Sequence, residues 1–374
     1  MSGTRQADRI DSLQIGRGVA ALLVVLHHAT SLVKLNDGGS FAENYFHAGS
    51  AGVDFFFVLS GFIIFHRHAR EFGQPDKLAE YGWRRLARVF PIYWIVTLAI
   101  LPLYFLIPAY GIPNGTDPKV IASSLLLLPM NPGPILFVGW TLTHELWFYL
   151  LFAGLIAKRG IVFKVIVALW IAAMAVLAVT SGDDHLLENP WFRVAFSPLN
   201  LEFALGCFAA WLIGRSAAKK APAYLWNILL TTGCGLFAFL LFNPSVLSAE
   251  VVEQRVLGFG LSSLLIVLGS AGRKLAALQK QSESLFRGFI VFLGDASYSL
   301  YLLHTPVLSA VWKAGEITGM VPRLGASAVA WLAVIASILT ASVFHLWIER
   351  PLLRRLRFPR RSPLAAAASN GAAL

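Results

Sequence analysis

The feature that most constrains this chain is the recurrence of apolar runs roughly 20 residues long, the length at which an α-helix crosses about 30 Å of hydrocarbon. Such runs occupy 13–34, 51–66, 90–108, 138–156, 161–180, 197–214, 224–243, 256–271, 287–310 and 325–347. Composition agrees, because only 14% of the 374 residues are charged and 57% are hydrophobic, whereas ordinary soluble domains carry about 25% charge. The expected fold is all-α: a polytopic transmembrane bundle of about ten helices in one domain, 13–351. A short cytoplasmic segment, 1–12, precedes it and a basic, disordered cytoplasmic tail, 352–374, follows. The stretch "SSLLLLPMNPGP" is apolar but broken by prolines, and reads as a re-entrant or interfacial piece.

Lys and Arg mark the cytoplasmic connections of such a chain. One alternate set of connections holds Arg67, Arg70, Lys77, Arg84, Arg85 and Arg88, then Lys158, Arg159 and Lys164, then Arg215, Lys219 and Lys220, then Arg273, Lys274, Lys280 and Arg287. The other set is poor in them and includes "SGDDHLLENP". Both termini are therefore expected in the cytoplasm. The net charge of +11 is accounted for by topology rather than by a nucleic-acid partner. The first run is too long, and too poor in a small-residue cleavage site, to be a secretory signal. Cys207 and Cys234 both fall within spans and read as buried, inert thiols rather than a disulfide framework. No internal repeat and no metal-ligand spacing stands out.

Ionisable residues inside such runs usually face the bundle interior and mark a site. In "RGVAALLVVLHH", Arg17 and His28 are 11 positions apart, which places them within about 20° on the helix surface and about 16 Å apart along its axis. Arg17 reads equally well as a side chain snorkelling to the interface. His28 lies deeper, with a backbone-bonded structural histidine as its alternative reading, while His27 is turned about 100° away. Glu145 in "WTLTHELWFYLLF" is expected about 10 Å down its own span, near the depth of His28. Asp54 and His304 lie toward the same outer ends of their spans, Asp54 being also suited to complement a helix N-terminus. Asp295 and Glu349 sit toward the cytoplasm, where capping or pairing with Arg350 accounts for them.

On the cytoplasmic side, "WRRLARVFPIYW" sets Arg85 and Arg88 three apart on one helical face, just before a span opened by Pro91. Interface aromatics flank them, so a positive-inside anchor is one reading. A guanidinium fork for phosphates is the other, since Arg binds phosphate in bidentate fashion.

Five ordered stretches, "LQIGRGVAALLVVLHH", "AGVDFFFVLSGFIIF", "RRLARVFPIYW", "WTLTHELWFYL" and "LGDASYSLYLLHTPV", resemble acyltransferase family three, the bacterial integral-membrane O-acyltransferases. The resemblance runs from about Leu13 to Pro351 and is nearest in look to exopolysaccharide-modifying members. It implies a multi-pass protein of the bacterial inner membrane that moves an acyl group from cytoplasmic acyl-CoA to a hydroxyl, commonly of a surface glycan. It places the family's first-helix arginine and histidine on Arg17 and His28, its Arg-x-x-Arg pair on Arg85 and Arg88, its Ser-Gly-Phe on Ser60, Gly61 and Phe62, and its fourth-helix glutamate on Glu145. Where many members carry two adjacent acids, this chain has "THEL", a single carboxylate. The resemblance covers the membrane domain alone, without an appended esterase-like domain.

The chemistry these residues support is acyl transfer. Imidazole is well matched to removing a hydroxyl proton near neutral pH, so His28 is the expected general base, with Glu145 as its orienter or charge partner. A covalent acyl-histidine is the competing route. Arg85, Arg88 and Arg17 would hold the phosphates of acyl-CoA, the donor substrate, expected to be acetyl-CoA. Asp54, Ser60 and His304 complete the set as acceptor-binding candidates, although Ser60 also suits helix–helix packing. No permanently bound cofactor and no metal is needed, because a thioester is already activated. Two other classes compete: a proton-coupled transporter relaying protons through His28 and Glu145, and a non-catalytic assembly factor.

Overall fold

The computed structural model describes residues 10–106, 112, 114–158, 161–180, 188–246, 252–276, 285–356 and 358, and all regular structure among them is helical. The principal helices are α1 (Asp11–Asp37), α2 (Gly52–His68), α3 (Leu78–Leu106), α4 (Pro118–Leu125), α5 (Gly139–Ala157), α6 (Ile161–Thr180), α7 (Leu199–Ile213), α8 (Ala223–Phe242), α9 (Leu261–Leu275), α10 (Leu285–Asp295), α11 (Ser297–Ile317) and α12 (Ala326–Phe344). The basic tail beyond residue 358, the first nine residues, Arg159, Lys280 and the segment around Asp183 lie outside the described residues.

The described residues of all ten expected runs are helical, and among the described residues seven segments are long and apolar enough to cross a membrane: Asp11–Asp37, His47–Glu71, Pro75–Leu106, Pro190–Ile213, Ala223–Phe242, Val256–Leu275 and Ala326–Arg355. The chain is thus a multi-pass membrane protein. Two of the other three runs depart from an unbroken apolar helix. In α5 the first two turns carry Thr141, Thr143, His144 and Glu145. The run at 287–310 is divided between α10 and α11, since Ala296, with ψ near 1°, leaves the helical region. The remaining one, α6, is an uninterrupted helix over Ile161–Thr180.

The third run also begins earlier than its apolar residues suggest. Helix α3 starts at Leu78 and continues through Pro91 and Pro102, so the basic stretch is the first part of the helix and Pro91 does not open it. The prolines are tolerated because neighbouring groups can satisfy the backbone they free.

The tightest packing joins α2 to α7, where small residues let backbones approach. A Cβ on Gly206 would fall 1.9 Å from the Val58 carbonyl oxygen, and one on Gly61 would fall 2.1 Å from that of Phe203. Between α3 and α5, the segment around α4 is pinned by three side chains of α3. Tyr93 donates to the Ser124 carbonyl at 2.8 Å, Trp94 to Leu125 at 2.8 Å and Tyr104 to Ile135 at 2.7 Å. This fixes Phe137 and Val138 at the start of α5.

Outward faces stay apolar, as lipid demands: Leu98, Phe105, Leu150, Leu169, Phe239 and Leu339 are all exposed. Cys234 lies on such a face and is exposed, contrary to the buried thiol expected of it. Cys207 is half-buried, its Sγ 3.6 Å from the Gly61 carbonyl.

Candidate active site

Five helices converge with alternating direction. The Arg17 end of α1, the Ser60 turn of α2, the Arg88 turn of α3 and Ser297 of α11 meet around one cavity, which Glu145 of α5 also lines. The His28 end of α1, the segment Ser50–Val53, the start of α5 and Arg255 meet around a second. The first cavity is narrow, about 90 Å³. The second, about 350 Å³, lies within the range of small-molecule sites, roughly 300–1,000 Å³. Val53 and Tyr301 line both, so these two side chains form a shared wall. Tyr301 is held there by a hydrogen bond between its hydroxyl and Thr141 Oγ1 at 2.8 Å, and the hydroxyl also lies 3.3 Å from the Val138 carbonyl.

In the first cavity Arg17 Nη2 donates to Ser297 Oγ at 2.8 Å. Arg88 is exposed at the cavity's edge. Glu145 accepts a 2.5 Å hydrogen bond from the Tyr149 hydroxyl. Ser60 is half-buried in the wall. Arg85 does not share this wall with Arg88. It is buried, with its guanidinium carbon 5.8 Å from the Tyr81 ring centre and 5.5 Å from that of Tyr149, and its Nε has no hydrogen-bond partner among the described residues. Nearby, Glu349 is buried and accepts from Ser299 Oγ at 2.5 Å and His345 Nδ1 at 2.7 Å, rather than pairing with Arg350.

The second cavity contains the histidines. His304 Nδ1 lies 3.1 Å from the Leu300 carbonyl, which fixes that nitrogen as a donor and leaves Nε2 as an acceptor. His28 Nδ1 lies 3.3 Å from that Nε2 and 2.9 Å from the Val24 carbonyl. The same tautomer satisfies both contacts: Nδ1–H donates to both acceptors, and His28 Nε2 keeps its lone pair. Nε2 has no hydrogen-bond partner among the described residues, and the side chain lines the cavity.

The partner expected for His28 is therefore replaced. Glu145 lies across the shared wall with Arg17 and Tyr149, and His304 stands beside His28 instead. Nor is His27 turned out of the site. It lines the same cavity, tied by a 2.6 Å hydrogen bond from Nδ1 to the His47 carbonyl. Asp54 is fully buried behind the wall, where Arg255 Nη2 reaches its Oδ2 at 2.5 Å and Nε its Oδ1 at 3.3 Å. Arg255 and the fully buried Glu202 are additions to the set found by sequence. The signal for Arg255 was a basic residue at the end of a run where the charge alternation calls for few.

The whole arrangement sits within one recognisable sequence family. The acyltransferase 3 profile, an acyltransferase domain, matches residues 10–346. The chain is 32% identical to the exopolysaccharide production protein ExoZ of Rhizobium meliloti (strain 1021), over 85% of this chain and 93% of that one. It is 26% identical to the acyltransferase MdmB of Streptomyces mycarofaciens, over 96% of this chain and 95% of that one. It is 24% identical to the O-acetyltransferase OatA of Staphylococcus aureus (strain NCTC 8325 / PS 47), over 91% of this chain and 56% of that one. No solved structure matches it. The chain belongs to acyltransferase family three and is a membrane acyltransferase.

Proposed function

We propose that this protein is an O-acyltransferase of the bacterial inner membrane that moves an acetyl group from cytoplasmic acetyl-CoA to a hydroxyl of an exported polysaccharide. The observation that carries this reading is the pair of cavities, one lined by Arg17, Arg88 and Glu145 and the other by His28, divided by Val53 and Tyr301. The names of ExoZ and OatA supply the acceptor class and the acetyl group. The reading includes both termini on the cytoplasmic side and about ten membrane crossings over 13–351, following the alternation of basic connections.

Arg17 and Arg88 take the phosphates of the donor at the narrow cavity. Arg85 acts from beneath, holding Tyr149 and through it Glu145. The acceptor enters the wider cavity and its hydroxyl hydrogen-bonds to His28 Nε2. The hydroxyl proton passes to that nitrogen as the oxygen attacks the thioester carbonyl, the C–S bond breaks, and the departing thiolate recovers the proton. The Val24 carbonyl and His304 Nε2 stabilise the transient imidazolium through Nδ1–H, as the buried acceptor does in other histidine-based acyl transfer. For the thioester to reach the acceptor, its acyl end must pass Val53 and Tyr301.

The test is acyl transfer by the purified protein in proteoliposomes. Acetyl-labelled acetyl-CoA is supplied on one face, and the polysaccharide is recovered from the other and treated with mild base. Base-labile label on the glycan supports the reading. Movement of unmodified glycan or acetyl-CoA without ester formation would instead favour transport.

A further inference from the structure

We infer that Arg255 makes the wider cavity a recognition site for an anionic group on the acceptor, a carboxylate or phosphate carried by the glycan or its lipid anchor. This rests on the acceptor occupying that cavity. The sequence supplies Arg255 just before the π-helical turn Val256–Gly260, a type of irregularity frequent at functional sites. Its side chain lines the cavity, and its partner Asp54 does not. Asp54 is fully buried, and it occupies Nε and Nη2 of the guanidinium. The Ser50 carbonyl takes Nη2 as well, at 3.3 Å. Nη1 has no hydrogen-bond partner among the described residues.

The ion pair is thus oriented, with its negative end in the protein interior and its positive end in the cavity wall. The remaining lining carries no opposing charge: Ser31 and Ser50 offer hydroxyls, and no carboxylate lines the cavity among the described residues. A guanidinium pinned by a buried carboxylate is pre-organised, so little rotamer entropy is lost when it binds an oxyanion. A charged acceptor group is favoured over a hydroxyl because an oxyanion adds Coulomb attraction to the hydrogen bond from the guanidinium.

The experiment is equilibrium binding to the full chain in lipid nanodiscs without any acyl donor, using methyl glucuronide, glucose 1-phosphate and methyl glucoside as probes. At least one charged probe is expected to bind about tenfold more tightly than methyl glucoside, a difference of roughly 1.4 kcal/mol. Preference for the carboxylate probe points to a uronic acid, and preference for the phosphate probe to a phosphorylated glycan or lipid anchor; both support the site. Arg255→Gln should bring the probes within about twofold of one another, and Arg255→Lys should retain part of the preference. Because Arg255→Gln leaves Asp54 buried without its partner, the double variant Asp54→Asn, Arg255→Gln is measured beside it and should give the same loss. Equal binding of all three probes, no binding of the charged ones, or a preference that survives the double variant would overturn the inference. Since no acyl donor is present, failure of acyl transfer leaves this result readable.

Discussion

Nδ1 of His28 lies 3.3 Å from Nε2 of His304, a residue 276 positions further along the chain. The contact joins α1 to α11 and determines which nitrogen of His28 is left to act on an acceptor. On the proposed mechanism His304 is a positioning residue.

His28→Ala should lower turnover by about 10² to 10⁴, the usual worth of a positioned proton transfer, with normal protein abundance. His304→Ala should lower kcat less, with little effect on KM for the donor. His304→Gln should restore part of it, because the glutamine carbonyl can accept from His28 Nδ1–H. Assays in proteoliposomes with kcat and KM separated check this. Equal activity of the Ala and Gln variants would show that His304 only fills space.

His27→Ala should be milder than His28→Ala but not silent. It removes the hydrogen bond to the His47 carbonyl and loosens the segment that leads into α2. The expected result is a raised KM for the acceptor with kcat largely kept. A loss as deep as that of His28→Ala would reverse the assignment of the base.

The two arginines of α3 should separate. Arg88→Ala is expected to raise KM for acetyl-CoA, with Arg88→Lys recovering only part because it lacks the planar fork. Arg85→Ala should reduce abundance and thermal stability, since it removes a guanidinium packed on Tyr81 and Tyr149, contacts worth roughly 0.5–2 kcal/mol each. Size-exclusion yield beside donor kinetics tests the split. Identical profiles for the two Ala variants would contradict it.

Gly206→Ala should abolish stable insertion, because its new Cβ would meet the Val58 carbonyl at 1.9 Å, a backbone atom that cannot step aside. Gly288→Ala, where nothing lies within 4 Å, should instead stabilise its helix by up to about 1 kcal/mol. Thermal unfolding of the two variants in detergent distinguishes them. A folded Gly206→Ala protein would mean that α2 and α7 can separate.

Glu202→Gln is expected to hold or raise the melting temperature. The Glu202 oxygens have no hydrogen-bond donor among the described residues, and the side chain stands beside the Asp54 carboxyl. An amide N–H supplies a donor between two acceptors. A melting temperature lowered by several degrees would show that the carboxyl itself is needed there.

Helical periodicity made part of this site legible in the sequence. Arg17 and His28 share a face of α1 because eleven residues are close to three turns, and each lines a cavity. What periodicity cannot convey is which other helix supplies the neighbour. Glu145 was matched to His28 by depth, but it lies further into α5 than Val138 and Trp140, which line the His28 cavity, and its carboxylate meets Tyr149 and lines the Arg17 cavity instead. Arg85 and Arg88 likewise read as a fork until Tyr149, on another helix, takes one of them away. The break at Ala296 escaped notice because hydropathy continues through it, although the backbone does not. The Asp54–Arg255 pair spans 201 residues and leaves no local pattern at all.

The wall made by Val53 and Tyr301 bears on how such an enzyme keeps its membrane sealed. A carrier that moved the whole donor would have to make room for a nucleotide. On the proposed mechanism only the few atoms of the transferred group cross this partition, while the charged carrier stays on its own side. Chemistry of this kind would export a modification without exporting a metabolite.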